Sequence, residues 1–249
     1  MSVAKTNTTW VFGSSSPLAQ TLIERLSSES TVWCFGRTPP TSNAKFIELD
    51  LSRSDIVDLV VRSAFAEQPP QGVVFCQRYR PATDDSEIEI IKQGIVVELG
   101  PLFCLLRILE GITGPSPLRS IVVLSSVAGK ESHPDIPISY HILKAATLAA
   151  CRSLTPSLAP QNIRINCIVL GEFLKAPRHL YPDYKQRQFL EIEKFSLDKR
   201  ICSVENISRT INFLLGEDAS FITGQELILD GGISLIGTES LIRAGLDQI

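Results

Sequence analysis

The chain has 249 residues, of which 44% are hydrophobic and 20% are charged, and its formal net charge at pH 7 is −3. This composition suits one well-packed domain and gives no reason to expect nucleic acid or an anionic membrane as a partner. No apolar stretch approaches the roughly 18 residues that a membrane span needs.

Short apolar runs alternate with helical patterns along the chain. Strands are predicted over 8–12, 31–35, 45–49, 72–75, 119–126, 163–170 and 226–230, and helices from residue 17 onward and over 52–66, 86–111, 138–158 and 204–215. Because the strands are continuous apolar runs without polar alternation, they are typical of a parallel sheet covered on both faces. We therefore predict an α/β fold, a doubly wound parallel sheet (Rossmann-like) of about seven strands with helices on both faces, built as one domain over residues 1–249.

The first strand-to-helix turn, "FGSSSPLA", lies at the carboxyl end of the predicted sheet, where doubly wound folds bind ligands. Gly13 permits the tight turn, and Ser15 and Ser16 can offer hydroxyl and N–H groups. The positive end of the following helix favours a phosphate at the same place. Pro17 and Ala19 stand where further glycines are usual, so an ordinary strand-to-helix turn is the alternative interpretation.

The end of the second strand indicates which nucleotide the turn would bind. Gly36 and Arg37 stand where an acidic residue would bind the adenine ribose hydroxyls of NAD. A guanidinium there suits the 2′-phosphate of NADP, although a solvated surface arginine is the alternative. Asp50, at the end of the third strand, either accepts a hydrogen bond from adenine or serves as a turn or N-cap residue.

Three polar side chains are predicted to meet at the carboxyl end of the fifth strand. Tyr140 and Lys144 in "SYHILKAA" are four residues apart and so share one helix face. Ser126 ends the preceding strand in "LSSVAG". The Tyr140 phenol can give a proton to a reduced carbonyl, the ammonium favours the phenolate, and the serine hydroxyl can bind the carbonyl oxygen.

These motifs, together with "IRINCIVLG" and "SFITGQELILDGG", resemble the short-chain dehydrogenase/reductase family over nearly the whole chain. The resemblance implies that Ser126, Tyr140 and Lys144 are the catalytic serine, tyrosine and lysine. It also implies NADP(H) as cofactor, a homodimer or homotetramer, and a substrate lid at 172–199, a segment without a clean period. The cofactor contacts it implies are Gly13, Ser15, Ser16, Leu18, Arg37, Asp50, Leu51, Tyr140, Lys144 and Gly171.

The chain departs from the family pattern at several positions. The family's N-N-A-G sequence after the fourth strand appears as "FCQR", and the asparagine of the long helix falls at Glu98. A carboxylate at Glu98 could pair with Lys144 and alter the activation of the tyrosine, so we include Glu98 in the catalytic group. The spacing from Ser126 to Tyr140 is one residue longer than the resemblance implies, and Ser125 is the alternative serine.

Two classes of function compete. The first is an NADP-dependent reductase of a carbonyl, imine or enone in a small organic substrate, with Tyr140 as general acid. The second is a redirected fold that acts as a non-redox isomerase, lyase or cyclase, or as a non-catalytic partner subunit. Arg37 and the intact group of Ser126, Tyr140 and Lys144 favour the first class, and Pro17, "FCQR" and Glu98 favour the second.

Several other residues have both a functional and a structural interpretation. Arg78 and Arg80 either extend the phosphate-binding surface or are ordinary surface charges, and His141 is interpreted as structural. The lid aromatics Tyr181 and Tyr184 either line an apolar pocket or pack the lid onto the domain.

The six cysteines lie in apolar segments, and none has the C-x-x-C or Cys/His spacing of a metal site. We interpret them as reduced core thiols and expect no metal. Because the first ten residues lack the apolar run of a signal peptide, we expect a cytoplasmic protein.

Overall fold

A computed structural model of the protein describes residues 7–82, 84–237, 239–240 and 243. The strands are β1 (Thr8–Phe12), β2 (Thr31–Gly36), β3 (Lys45–Glu48), β4 (Gly72–Phe75), β5 (Ser120–Ser126), β6 (Arg164–Leu170), β7 (Phe173–Leu174), β8 (Cys202–Ser203) and β9 (Glu226–Leu229). The helices are α1 (Pro17–Glu29), α2 (Ser54–Glu67), α3 (Glu87–Glu110), α4 (Ile138–Leu158), α5 (Asp183–Phe195) and α6 (Val204–Leu215). The expectation drawn from the first ten residues falls mostly on residues 1–6, which lie outside the described part.

Seven of the strands form one parallel sheet in the order β3-β2-β1-β4-β5-β6-β9. Successive strands run outward from β1 in one direction and from β4 in the other. The order therefore reverses between β1 and β4, and a crevice opens there at the carboxyl ends of the strands. This topology confirms the predicted doubly wound sheet.

The sheet is covered on both faces, as its apolar strands predict. Helices α2, α3 and α4 pack on one face, and α1 and α6 pack on the other. Aromatic rings fill the first face near the crevice, where Phe12 stacks on Phe35 at 4.5 Å and on Phe75 at 5.1 Å between ring centroids. These rings hold the ends of β1, β2 and β4 in fixed positions beneath the crevice.

The segment 172–199, whose sequence has no clean period, contains the strand β7, a 3₁₀ turn at Arg178–Leu180 and the 13-residue helix α5. Strand β7 pairs with β8 in a separate two-stranded parallel sheet. Helix α5 was therefore not predicted from the sequence. Phe189 is the one buried residue of this helix, and Ile192 and Phe195 are only partly buried, so its apolar side is short.

All six cysteines are free thiols, and four of them are buried, namely Cys34, Cys76, Cys151 and Cys167. Burial raises the pKa of the Cys34 thiol to about 11 and that of Cys76 to about 12, so both are neutral core groups. Over the described residues there is no cluster of His, Cys, Asp and Glu that could hold a metal ion. No helix in the same part of the chain is long and apolar enough to cross a membrane.

Candidate functional site

The turn after β1 is held by the end of β2. Gly13 has φ +85°, and a Cβ atom there would lie 2.6 Å from the Gln77 backbone, so only glycine fits. The N–H groups of Gly13 and Ser14 donate to the Phe35 carbonyl at 2.8 and 3.3 Å. The buried Ser14 hydroxyl donates to the Thr38 carbonyl at 2.9 Å. Ser14 is therefore occupied within the fold.

The start of α1 accommodates its proline. Ser16 is the N-cap residue, and its hydroxyl oxygen accepts the N–H of Ala19 at 3.1 Å. Pro17 is the first residue of the helix, where a missing N–H removes no intrahelical bond. The side chain of Leu18, a predicted cofactor contact, is buried among core residues.

A cavity of about 230 Å³ lies in the crevice beside this turn. It is smaller than the ~300–1,000 Å³ of typical ligand pockets, so it could enclose only part of a dinucleotide. Its lining includes six predicted cofactor residues, which are Gly13, Ser15, Ser16, Arg37, Asp50 and Leu51. Four other predicted contacts, Leu18, Tyr140, Lys144 and Gly171, are not among its lining residues. The segment after β4 forms the opposite wall with Cys76, Gln77, Arg78, Tyr79 and Arg80.

Asp50 is held by the turn that follows β3. Its Oδ1 accepts hydrogen bonds from the backbone N–H of Ser52 at 3.0 Å and from the Ser52 hydroxyl at 2.8 Å. These two bonds, with the nearby charge of Arg37, lower the pKa of the Asp50 carboxyl. The turn role left open by the sequence is therefore observed, and the exposed Arg37 lies beside a carboxylate.

Gln77 presents an acceptor atom that has no hydrogen-bond partner among the described residues. Its Nε2 donates to the Glu98 backbone carbonyl at 2.8 Å, which fixes the orientation of the amide. Its Oε1 is buried and unpaired. A buried unpaired acceptor, the glycine turn and the three arginines in the cavity wall all fit the adenosine phosphate part of a dinucleotide.

The two serines at the end of β5 differ in their surroundings. The buried Ser125 donates its hydroxyl to the Lys144 backbone carbonyl at 3.0 Å. The half-buried Ser126 accepts the N–H of Ala128 at 3.3 Å, which leaves its own hydroxyl proton for another acceptor. These contacts favour Ser126 over Ser125 as the serine that meets a ligand.

Helix α4 approaches the end of β5 and helix α3 closely because glycines face it. A Cβ atom on Gly129 would lie 2.8 Å from the backbone carbonyl carbon of Lys144. One on Gly94, in α3, would lie 2.3 Å from Leu143 Cδ1. Glu98 is one helical turn beyond Gly94, so the close approach brings Glu98 next to Lys144.

Lys144 and Glu98 form a buried ion pair. The Lys144 Nζ donates to Glu98 Oε2 at 2.6 Å, and the two side chains are only 5% and 4% exposed. The other oxygen, Oε1, accepts the backbone N–H of Tyr79 at 3.1 Å. The pairing predicted from the sequence is confirmed as a contact, and both carboxylate oxygens of Glu98 are hydrogen-bonded.

Tyr140 is half-buried in the first turn of α4 and lies between two cations. The Lys144 Nζ is 5.2 Å from its ring centroid. The guanidinium carbon of Arg78 is 4.6 Å from the same centroid. The sequence marked Arg78 only as a possible phosphate contact, and its position against the phenol was not predicted.

Further cations surround this end of the crevice. Partial burial lowers the pKa of Lys175, and the charge of Glu172 opposes this. The charges of Arg78, Arg80 and Lys185 lower it further. The segments after β4 and β6 therefore present positive charge to the same region.

Gly171, another predicted cofactor contact, directly follows β6 and lies beside β9. Its N–H donates to the Leu229 carbonyl at 3.0 Å. A Cβ atom there would lie 2.8 Å from the Asp230 side chain. Packing alone therefore requires glycine at this position.

Of the two tyrosines named in the segment 172–199, Tyr181 has structural contacts, and so has His141. Tyr181 packs edge-to-face on Phe189 at 4.9 Å, and its hydroxyl oxygen accepts the backbone N–H of Lys175. Tyr184 is 64% exposed. The His141 ring accepts the N–H of His133 at 3.0 Å and contacts the Pro137 carbonyl at 3.1 Å, so it braces the loop before α4.

Comparison with known proteins adds independent evidence. The family model described as Enoyl-(Acyl carrier protein) reductase matches residues 42–234, a range that includes Ser126, Tyr140 and Lys144. The isoepoxydon dehydrogenase patN of Aspergillus clavatus is 30% identical over 194 residues, which cover 76% of this chain and 72% of that protein. Isoepoxydon dehydrogenase patN of Penicillium expansum is 26% identical over 88% of this chain and 79% of its own length.

Among solved structures, a short-chain dehydrogenase from Leptospira borgpetersenii with bound NAD+ has a TM-score of 0.75 to this chain. The two chains are 21% identical, and the match covers 92% of each. This likeness supports the same fold.

Proposed function

Because the chain belongs to the short-chain dehydrogenase/reductase family of oxidoreductases, we propose that it is an NADP(H)-dependent reductase of a carbonyl, imine or enone in a small organic substrate. The observation that carries this proposal is the position of Tyr140 at the carboxyl end of the sheet. The Lys144 ammonium lies 5.2 Å from its ring centroid. Ser126 is the last residue of β5, the strand against which α4 packs.

The proposed mechanism assigns proton transfer to Tyr140. Its phenol O–H donates to the substrate oxygen as negative charge develops there. The Ser126 hydroxyl donates to the same oxygen and stabilises that charge, since its own oxygen already accepts the N–H of Ala128. A bound NADP(H) supplies the hydride.

The proposed cofactor preference depends on Arg37. Arg37 follows β2 at the place where an acidic residue would bind the ribose hydroxyls of NAD. Its guanidinium suits a 2′-phosphate instead. The residues proposed to hold the adenosine half are Gly13, Ser15, Ser16, Leu18, Arg37, Asp50 and Leu51. Tyr140, Lys144 and Gly171 are proposed to contact the nicotinamide half.

One observation favours the alternative, a non-redox isomerase, lyase or cyclase, or a non-catalytic partner subunit. The ammonium of Lys144 is engaged by Glu98 at 2.6 Å, whereas the reductase proposal needs it to bind ribose hydroxyls as well. An ammonium has three donor protons, so one ion pair leaves donors for a ribose. This geometry therefore permits the reductase proposal.

Calorimetric titration with NADPH and NADH tests the proposal directly. We expect NADPH to bind at least ~10-fold more tightly, and Arg37→Asp to reverse this preference, because it removes the partner of the 2′-phosphate and adds an acceptor for ribose hydroxyls. Glu191→Gln on α5 removes an exposed charge and serves as the control. Absence of NADPH binding at millimolar concentration would reject the reductase in favour of the alternative.

Substrate, assembly and location are further parts of this proposal. Since two relatives are isoepoxydon dehydrogenases, isoepoxydon and its oxidised product are the first substrates to assay. We propose that the segment 172–199 selects the substrate, that the protein is a homo-oligomer and that it is cytoplasmic. Exposed apolar side chains on α3 support the homo-oligomer. The six free thiols support the cytoplasmic location.

A further inference from the structure

The charge of Lys144, the cation expected to act on the Tyr140 phenol, is balanced by a neighbouring carboxylate. The Lys144 ammonium donates to Glu98 at 2.6 Å, and both side chains are buried. At so short a separation, the carboxylate cancels most of the field that the ammonium exerts on a third group. Lys144 therefore contributes little net positive potential at Tyr140.

A second cation lies against the same ring. The guanidinium carbon of Arg78 is 4.6 Å from the Tyr140 ring centroid, closer than the Lys144 nitrogen at 5.2 Å. No carboxylate among the described residues forms an ion pair with the exposed Arg78, so no neighbouring anion cancels its charge. Attraction between a guanidinium and a tyrosine face increases when the phenol ionises, because negative charge then spreads into the ring.

Glu98 contacts Lys144 and both neighbours of Arg78 in the chain. Its side chain pairs with Lys144 and also accepts the backbone N–H of Tyr79 at 3.1 Å. Its backbone carbonyl accepts Gln77 Nε2 at 2.8 Å. The residues on both sides of Arg78 are thus anchored to the group that neutralises Lys144.

We propose that Arg78 is a positioning residue that supplies the positive charge favouring the Tyr140 phenolate, in place of Lys144. The inference rests on the proposed function in one respect, that Tyr140 is the proton donor. When the Tyr140 O–H bond breaks, the substrate oxygen gains the proton and a phenolate with one negative charge remains until solvent returns a proton. Arg78 stabilises this anion through the ring and without touching the substrate.

Absorbance titration of the protein without cofactor or substrate isolates this effect. The chain has 4 tyrosines, so the Tyr140 signal is taken as the difference between each protein and the same protein carrying Tyr140→Phe. We expect Arg78→Met to move the phenolate signal to higher pH, because it removes the cation that lies 4.6 Å from the ring centroid. Arg78→Lys keeps the positive charge, so its phenolate signal should stay close to that of the unsubstituted protein. Glu98→Gln should move the signal to lower pH, because it removes the carboxylate that neutralises Lys144.

Arg209→Gln, which removes an exposed guanidinium on α6, is the matched control and should leave the titration unchanged. Thermal unfolding identifies any variant that does not fold, and Arg78→Gln replaces Arg78→Met in that case. An unshifted phenolate signal in the folded variant overturns the proposal. If NADPH binding weakens while the signal stays unshifted, Arg78 serves the phosphates instead.

The same titration separates this inference from the proposed function, because it needs neither cofactor nor hydride transfer. A shifted signal in a protein that transfers no hydride supports the role of Arg78 and rejects the reductase. An active reductase with an unshifted signal supports the reductase and rejects the role of Arg78.

Discussion

At the scale of single residues, the two serines that end β5 offer the sharpest test of the candidate site. We expect Ser126→Ala to lower kcat about 10²-fold with little effect on stability, because its hydroxyl is proposed to stabilise charge on the substrate oxygen. Ser125→Ala should instead lower the free energy of unfolding by about 1 kcal/mol, because it removes the bond to the Lys144 carbonyl. Steady-state kinetics and urea unfolding measure the two effects. Loss of activity in the Ser125 variant alone would reverse the assignment.

Contacts made by neighbouring regular elements were predictable at this scale, whereas those made by loops were not. The pairing of Glu98 with Lys144 followed from the family resemblance, which places the asparagine of the long helix at Glu98, and the 2.6 Å contact confirms it. The position of Arg78 depends on the irregular path after β4, which has no period to read from the sequence. For Asp50, the sequence left two roles open, and the local bonds to Ser52 settle only the turn role.

At the scale of elements, Glu226 joins β9 to the neighbouring structure. Its carboxylate pairs with Lys130 at 2.7 Å, in the turn after β5, and with Arg152 on α4. Burial alone raises the pKa of Glu226, but the hydrogen bonds from Lys130 and Arg152 outweigh this and lower it. Because its folded-state pKa is lowered, Glu226 stabilises the protein above its unfolded-state pKa, and this contribution is lost as the pH falls through the folded-state value.

We therefore expect Glu226→Gln to lower the free energy of unfolding by about 1 kcal/mol at pH 7. The difference from the unsubstituted protein should shrink below pH ~4.3, where the carboxylate protonates in the unfolded chain. Urea unfolding between neutral and acidic pH measures this. Glu191→Gln removes an exposed surface pair on α5 and should change stability much less. A difference that stays constant with pH would contradict the argument.

Element prediction succeeded where one face of an element is buried along its whole length. Strand β1 and helix α4 have the predicted bounds, because their apolar runs match the period of the element. Helix α5 was missed because it fully buries a single side chain, Phe189, while its other residues are partly buried or exposed. Its contacts with the rest of the chain, such as that of Phe189 with Tyr181, join positions that no local pattern connects.

At the scale of the whole molecule, continuous apolar strands were sufficient to predict a parallel sheet covered on both faces. The strand order depends on where each crossover returns, which single-strand patterns do not encode. The observed order places the crevice between β1 and β4 and brings the turn after β1 opposite the segment after β4. One topology thus places the cavity proposed to hold the cofactor beside the proposed catalytic group.

Assembly is the remaining property at this scale. Ile88, Ile95 and Phe103 are 63%, 41% and 44% exposed on α3, and their spacing of seven and eight residues places them on one stripe. The opposite side of the helix is buried in the core, so the stripe is available to another chain. Light scattering should therefore give a particle larger than the 27.4 kDa monomer. Phe103→Glu should shift it toward the monomer, because it places a charge in the apolar contact, whereas Leu180→Glu in the lid should not. A monomeric unsubstituted protein would refute the assembly.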